Sequence, residues 1–414
     1  MKRKIKVLYL QHAGELGGSS MSLLYTMQGM RDLGHTCVVA LARPSSELEK
    51  LYTDAGFETI PWPGLALWDH SAGGPRPPLD PRTWMMYANL IMGWRRAAFR
   101  TLKLVAETQP DLVHLNSMTF TVSANTLIRT NVPFVWHVRE PPPDQGLRTR
   151  LIRSVMQRAP QLIFISDFDR QQWIGGKKGE VIHNFVELQH FRPDTDGQPL
   201  RQAHHIPSDA RVILYLGGVS AIKGFFVLLD ALHLLKERGD HFVCLMPGTV
   251  LGPAQSWQGR IAGKILPLVG SGTPKQKARK QIARYSLQEN VRPLPFATDI
   301  VPFFAASDVV VFPSTKPHFA RPVIESIAMH KPAVGSDLGG VRELLAVHPL
   351  GRLTPAGDPV ALADAIQQAT GNNSQSADLD AQFSNAKMLF DRRYGVKAIE
   401  AVYRRVLQLN HAQY

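Results

Sequence analysis

The residues of this chain best suited to chemistry concentrate between Phe312 and Glu343, in FPSTKPHFARPVIESIAMHKPAVGSDLGGVRE. The apolar run Val309–Phe312 reads as a buried strand, followed by a loop of turn formers and a short helix opening at Pro322. Proline at the first helical position is pre-organised for the helix and gives up no needed N–H. The free N–H groups of the turn that Pro322 and Val323 begin attract an anion. Glu325 lies one turn in, where its carboxylate can accept hydrogens from the hydroxyls of a sugar or ribose. A second strand, Ala333–Gly335, runs into a Gly339-Gly340 turn at the head of another helix, and glycine lets that backbone come close to the same ligand. Two backbone anion cradles around one carboxylate suit a phosphorylated, hydroxyl-rich ligand such as a nucleotide sugar.

Three other segments carry candidate groups. In LGGVSAIKGFFVLLDAL (Leu216–Leu232), Lys223 precedes Gly224 at a helix start, placed to neutralise a departing diphosphate. HAGELGGSSMSLL follows the first strand and presents Gly17-Gly18 at the opening of a helix. PFVWHVRE ends a strand on His137, with Arg139 and Glu140 just beyond. Each has a plainer structural reading: a solvated lysine, a common strand-to-helix turn, a histidine packed at a strand end.

Taken together, these segments resemble the retaining glycosyltransferases of the GT-B fold, in the large family 4 (glycosyl transferases group 1). The family's donor signature, P-S-x-x-E-P-F-G-x-x-x-x-E-A-M-A followed by P-V-V-x-S-D-x-G-G-x-x-E, is matched at Pro313, Ser314, Phe319, Glu325, Pro332, Ser336, Asp337, Gly339, Gly340 and Glu343. Leu216–Leu232 is similar to its G-R-L-x-x-x-K-G motif at Lys223 and Gly224. The resemblance implies an α/β protein of GT-B class, two doubly wound Rossmann-like domains facing a central cleft. It further implies hexosyl transfer from a nucleoside diphosphate sugar to a hydroxyl acceptor, with anomeric retention, in polysaccharide or glycolipid assembly. Under it, Gly17, Gly18, Lys223, Glu325, Gly339 and Gly340 bind the donor, the residues of the helix start adding Arg321, Pro322 and Val323, and His137, Lys223 and Glu325 are the catalytic set. Glu325 holds the ribose, His137 lies near the transferred sugar, and Arg139, Glu140 and His318 contact acceptor or sugar. No cofactor and no metal are expected.

Two departures stand against the family pattern. The first Glu of the Glu-x7-Glu pair falls on Pro317, and the Arg of the lysine motif falls on Gly218. Arg321, beside the helix start, is the candidate to replace the missing arginine, since a guanidinium binds phosphate bidentately. His318 can replace a hydrogen bond of the missing carboxylate but not its fixed charge. These losses keep a second reading open, a non-catalytic GT-B-like protein that binds a nucleotide sugar or a partner.

Composition bounds the remaining classes. The 414 residues, 44% hydrophobic and 20% charged, describe an ordinary globular α/β chain. Cys37 and Cys244 sit in strand-like runs and read as buried thiols. A net charge of +13 favours an anionic partner. His241–Gln288 carries seven Lys or Arg and no Asp or Glu. It lacks a nucleic-acid motif and aromatic interleaving, so no nucleic acid is expected. TWMMYANLIMGWRRAAFRTLKLV mixes Trp, Met and Leu with basic residues, as helices at anionic membrane surfaces do, and reads equally as a core helix of the first domain with a basic outer face. No G-x-G-x-x-G follows the first strand, which disfavours hydride transfer. The apolar run Ile5–Leu10 reads as a strand rather than a leader, and the protein is expected to be cytoplasmic, peripheral at the inner face of the membrane.

The elements that must position these groups follow from short apolar runs, as parallel strands buried on both faces require. Strands are expected at Ile5–Leu10, Cys37–Leu41, Phe57–Pro61, Leu112–Leu115, Phe134–His137, Leu162–Ile165 and Val181–Ile182. The pattern restarts at Val212–Leu216, Phe242–Leu245, Val291–Leu294, Val309–Phe312 and Ala333–Gly335. The domains are read as 1–190 and 191–385, with a single helical segment over 386–414 packing back on the first. Ligands of such sheets bind at the carboxyl ends of the strands.

Overall fold

A computed structural model of the chain describes residues 3–65, 81–143, 146–251, 273–371 and 377–411, with side chains described outside 81–92, 377 and 409–411. The chain divides into two compact units, one of Met1–Glu187 with Leu389–Tyr414 and one of Leu188–Met388. Most of the Trp/Pro/Gly-rich stretch after Pro61, and residues 252–272 of the basic insertion, lie outside the described residues.

In unit 1 the chain runs β1 (Lys6–Gln11), α1 (Gly18–Asp32), β2 (Thr36–Leu41), α2 (Ser46–Asp54), β3 (Glu58–Pro61), α3 (Pro81–Thr108), β4 (Leu112–Leu115), α4 (Thr121–Arg129), β5 (Phe134–Val138), α5 (Leu147–Arg158), β6 (Leu162–Phe164), α6 (Asp167–Ile174) and β7 (Glu180–Val181). The strands form one parallel sheet in the order β3-β2-β1-β4-β5-β6-β7. Successive side chains of a strand point to opposite faces, so Val7 and Tyr9 enter one core while Leu8 and Leu10 enter the other.

Unit 2 repeats the plan with α7 (Gln198–Ala203), β8 (Arg211–Leu214), α8 (Phe225–Glu237), β9 (Phe242–Pro247), α9 (Pro274–Arg284), β10 (Val291–Leu294), α10 (Val301–Ala306), β11 (Val309–Phe312), α11 (Arg321–Ala328), β12 (Ala333–Ser336), α12 (Gly339–Ala346), β13 (Gly351–Thr354), α13 (Pro359–Gly371) and α14 (Ala377–Met388). Its parallel sheet has the order β10-β9-β8-β11-β12-β13. The final helix, α15 (Arg392–His411), belongs to unit 1. There Val396, Ile399, Val402, Tyr403 and Val406 join the core beneath α1, and Glu400 meets the buried His35 at 3.3 Å.

Two expectations are corrected. The C-terminal segment is not one helix: it breaks between α14 and α15, where the Val186 N–H donates to Phe390 O at 2.9 Å and the Arg392 N–H donates to Val186 O at 3.1 Å. Asp391 then accepts from the Arg393 N–H at 2.7 Å and starts α15 afresh. An additional strand, β13, pairs with β12. It is an edge strand with Arg352 and Leu353 exposed, so it lacks the apolar run that marks a central one. Leu112–Leu115, Val291–Leu294 and Val309–Phe312 stand as expected, and the other strands differ by no more than two residues at either end.

Both cysteines are buried and unpaired, and burial pushes the Cys37 thiol up to about 12. Three histidines are buried in neutral form. His348 accepts from the Leu350 N–H at 3.0 Å and meets Ser326 Oγ at 3.1 Å, and burial lowers its pKa to about 3. Burial likewise holds His114 and His137 well below the usual histidine range, with the positive charge of Arg139 adding to the effect. Below pH ~6.5 the unfolded chain takes up protons at these sites that the folded chain refuses, so stability must fall with falling pH, by about 1.4 kcal/mol per pH unit for each fully depressed group. The urea midpoint is therefore expected to drop between pH 7 and pH 5, and a midpoint that holds or rises would remove these histidines from the balance.

Candidate functional site

In each sheet the strand order reverses once, and the crevice beyond the carboxyl ends at that reversal is where doubly wound folds take ligands. In unit 2 the reversal falls between β8 and β11. The loop after β8 carries Lys223 and Gly224, and the loop after β11 carries Pro313 to Ala320, so strand order alone sets the two motifs side by side.

Hydrogen bonds lock these loops together. The Thr315 N–H donates to Ile222 O at 2.8 Å, and Thr315 Oγ1 donates to Ala221 O at 2.9 Å. Gly224 has φ +76°, and a Cβ there would stand 1.7 Å from Pro313 O. Only glycine permits that backbone contact. Lys223 is half-buried, no acid pairs with it among the described residues, and the protein packed around its ammonium lowers its pKa from the ordinary lysine range. A cation held this way gains by meeting an anion.

α11 opens at Arg321, with Pro322 second, one residue earlier than the sequence pattern suggests. Arg321 and Glu325 face each other across one turn: Arg321 Nη2 and Nε donate to Glu325 Oε1 at 2.6 and 3.1 Å, with side chains only 11% and 3% exposed. Both of those bonds go to Oε1. No hydrogen bond to Oε2 is found among the described residues. Arg321 is thus largely buried rather than a surface residue, and its guanidinium is paired with the Glu325 carboxylate. Val323, in the same first turn, is buried.

At the head of α12, Gly339 adopts φ +46°, and a Cβ on Gly340 would stand 3.3 Å from His318 O and 3.4 Å from Phe319 Cα. The two helix starts therefore converge on one loop. His318 is half-buried, its ring stacked on Phe312 with centroids 5.8 Å apart. Gly218, at the family's arginine position, has φ +62° and its O accepts from Tyr215 OH at 3.1 Å, a left-handed backbone that an arginine would strain. Two polar atoms that the motif reading passed over are buried here without a partner, Ser314 Oγ and Thr249 Oγ1. Both follow strand ends, and that placement is the signal that could have found them.

In unit 1 the reversal lies between β1 and β4. Gln11 and Asn116 bridge those strand ends at 3.1 Å. Arg139 extends from β5 and donates to Asn116 Oδ1 and Asn184 Oδ1, each at 2.5 Å, with His137 Nδ1 at 3.4 Å. A guanidinium can only donate, so Nδ1 of His137 is the unprotonated nitrogen and Nε2 carries the hydrogen. That Nε2 is buried with no partner, as a donor awaiting an oxygen would be. Glu140 turns inward and accepts from Ser117 Oγ at 2.7 Å and the Met118 N–H at 3.1 Å. Its contact to a sugar is thus preceded by a structural task. His12, which the motif reading missed, stands 3.6 Å from Glu140 at the end of β1. Gly17 caps α1 in extended conformation, and a Cβ there would meet nothing within 4 Å. Among the described residues no group of three or more His, Cys, Asp or Glu can hold a metal ion.

Family comparison matches residues 16–190 to the model described as Glycosyltransferase Family 4 and residues 196–387 to that described as Glycosyl transferases group 1. The chain belongs to glycosyltransferase family 4. This family 4 chain is 30% identical over 204 residues to the D-inositol 3-phosphate glycosyltransferase of Corynebacterium urealyticum, covering 47% of this chain and 43% of that protein. It is 27% identical over 264 residues to the protein of the same name from Streptomyces avermitilis, covering 63% and 52%. The chain thus spans about half the length of the curated relatives it matches. Among solved structures it is similar to HepE of Anabaena in complex with UDP-glucose, with TM-score 0.74, 21% identity and coverage of 97% and 100%. It is also similar to sucrose-phosphate synthase of Thermosynechococcus elongatus, with TM-score 0.74, 16% identity and coverage of 98% and 100%. At these identities the likeness is one of fold, and the fold is GT-B.

Proposed function

We propose that the chain transfers a hexosyl unit from a nucleoside diphosphate sugar to a hydroxyl acceptor, with retention, in the assembly of a polysaccharide or glycolipid at a membrane surface. The observation that carries this reading is the locked pair of loops at the unit 2 sheet reversal. They hold a half-buried lysine without an acid beside two helix starts and one oriented carboxylate. Lys223 and the N–H groups of α11 and α12 take the diphosphate, and Glu325 Oε2 takes the ribose hydroxyls. In unit 1, His137 Nε2–H and Arg139 supply hydrogen bonds to hydroxyl oxygens of sugar or acceptor. When the bond from anomeric carbon to diphosphate breaks, negative charge grows on the leaving oxygens, and a fixed ammonium stabilises that charge more than the ground state. In a retaining transfer the leaving diphosphate itself takes the proton of the acceptor hydroxyl on the same face, and no protein nucleophile is required.

The test is calorimetric binding of UDP, GDP, ADP and their sugar conjugates, UDP-glucose first because the HepE structure is a complex with it. Turnover is then assayed with a panel of hydroxyl acceptors that includes inositol 3-phosphate, the acceptor in the relatives' name. Glu325→Gln removes the charge on the ribose acceptor, and a charge-assisted bond of about 2 kcal/mol corresponds to a roughly thirtyfold weaker dissociation constant. The same change leaves Arg321 buried without its anion, so a lower melting temperature should accompany the loss. An unchanged dissociation constant would contradict the ribose role. Pro317 and Gly218 favour a second reading, a binding protein without turnover. Saturable nucleotide binding with no transfer to any acceptor would select it.

A further inference from the structure

The outer face of the helical layer over one side of the unit 1 sheet carries a feature that the donor chemistry does not use. α5 reads LRTRLIRSVMQR, four arginines and no acid. Its buried side is formed by Arg148, Thr149, Ile152, Val155 and Met156. Its outward side shows Leu147, 81% exposed, and Leu151, 40% exposed, with Arg150, Ser154 and Arg158 around them. Leucines four apart on an exposed stripe lie one above the other. Neither belongs to a core cluster of the described residues.

α3 presents the same combination. Phe99 is 68% exposed and Leu102 37% exposed, set among Arg95, Arg96 and Lys103. The one acid of this helix, Glu107, is paired with Lys103 at 3.6 Å. Leu104 of α3, Leu127 of α4 and Ile152 of α5 enter a single core on one face of the sheet. α3 and α5 therefore cover the same face of the sheet, flanking α4. Arg158 Nη2 ties α5 to α4 through Asn125 Oδ1 at 3.0 Å.

We propose that this α3–α5 face docks on an anionic lipid bilayer. Exposed apolar side chains are ordinary when scattered, but here two pairs stand on helices that cover the same sheet face, and Glu107 is the one acid in the sequences of the two helices. A bilayer suits both: leucine and phenylalanine enter the boundary of the acyl region, while arginine stems lie along it with their heads at the phosphates. A nucleic acid would use the arginines and gain nothing from Leu147. α9 shows the contrast, with Lys275, Lys277, Arg279, Lys280 and Arg284 exposed and no large apolar residue among them. Its basic face is solvated. The sequence pattern pointed to α3 alone, through residues whose side chains lie partly outside the described set. α5, with no aromatic residue to mark it, emerges only from its exposure. This surface deepens the membrane part of the proposed function and rests on that part, not on the donor site.

The experiment is co-sedimentation of the full chain with phosphatidylcholine vesicles, with and without roughly one-third phosphatidylglycerol, near 0.05 and 0.3 M salt. Binding is expected only with phosphatidylglycerol and should weaken at the higher salt. Leu147→Ser with Leu151→Ser keeps every charge and should lower the partition coefficient at least about tenfold, given the area two leucines bury. The unfolding midpoint should stay in place, because both residues are exposed. Phe99→Ser should weaken binding independently. Equal partitioning of the leucine variant, or affinity for DNA without affinity for vesicles, would overturn the proposal. UDP binding measured on the same preparation separates this outcome from failure of the donor site.

Discussion

Lys223→Met is expected to lower turnover by about a hundredfold to a thousandfold, the range for removing a preorganised group that stabilises transition-state charge. The fold should not suffer. Burial disfavours the charged form of Lys223 in the folded chain, no carboxylate among the described residues loses a partner, and methionine occupies similar space. The signature is therefore a large loss of kcat at saturating donor with a melting temperature equal to or above that of the parent chain. A loss of kcat shared with a fall in stability would point to a packing role for the side chain. Unchanged turnover would remove Lys223 from the diphosphate.

Gly224→Ala is expected to be among the most damaging single changes in the chain, although it alters no chemical group. Its Cβ would lie 1.7 Å from Pro313 O, at a φ of +76°, and both loops are pinned by the Thr315 bonds. Relief requires separating the Lys223 loop from the Pro313 loop. A destabilisation above about 3 kcal/mol in urea unfolding is expected, from steric overlap with backbone added to left-handed strain. In whatever fraction folds, donor affinity should fall with it, since the lysine and the helix starts are then no longer held together. A variant with parental stability would show that the two loops do not need their close contact.

Much of the candidate site was legible because its chemistry is local. Pro322, Glu325 and the Gly339-Gly340 turn announce helix starts and a carboxylate one turn in, and the short apolar runs announce parallel strands. Arg321 shows where local reading ends. From the sequence it offered itself as a phosphate ligand in place of the arginine missing at Gly218, but i to i+4 spacing on α11 brings it onto Glu325 first. Gly218 itself looked like a loss, and at its left-handed φ of +62° any residue with a Cβ is strained. Glu140 was a candidate for sugar contact, and the fold turns it onto Ser117 and Met118.

By itself, then, the sequence determined the class of fold, the alternation of strand and helix, and which loops carry the lysine, the glycine turns and the helix starts. These depend on periodicity, turn chemistry and spacing along the chain. Only the tertiary structure decided that Lys223 and Pro313 meet, because strand order places β8 beside β11 although about ninety residues separate their loops. It alone decided that His137 is held neutral beside His114 and Arg139, since burial is a property of the packed core. It also decided that Leu147 and Leu151 face outward while Ile152 of the same helix enters the core. Exposure and long-range neighbours arise from how the sheets pack, and no short stretch of sequence contains them.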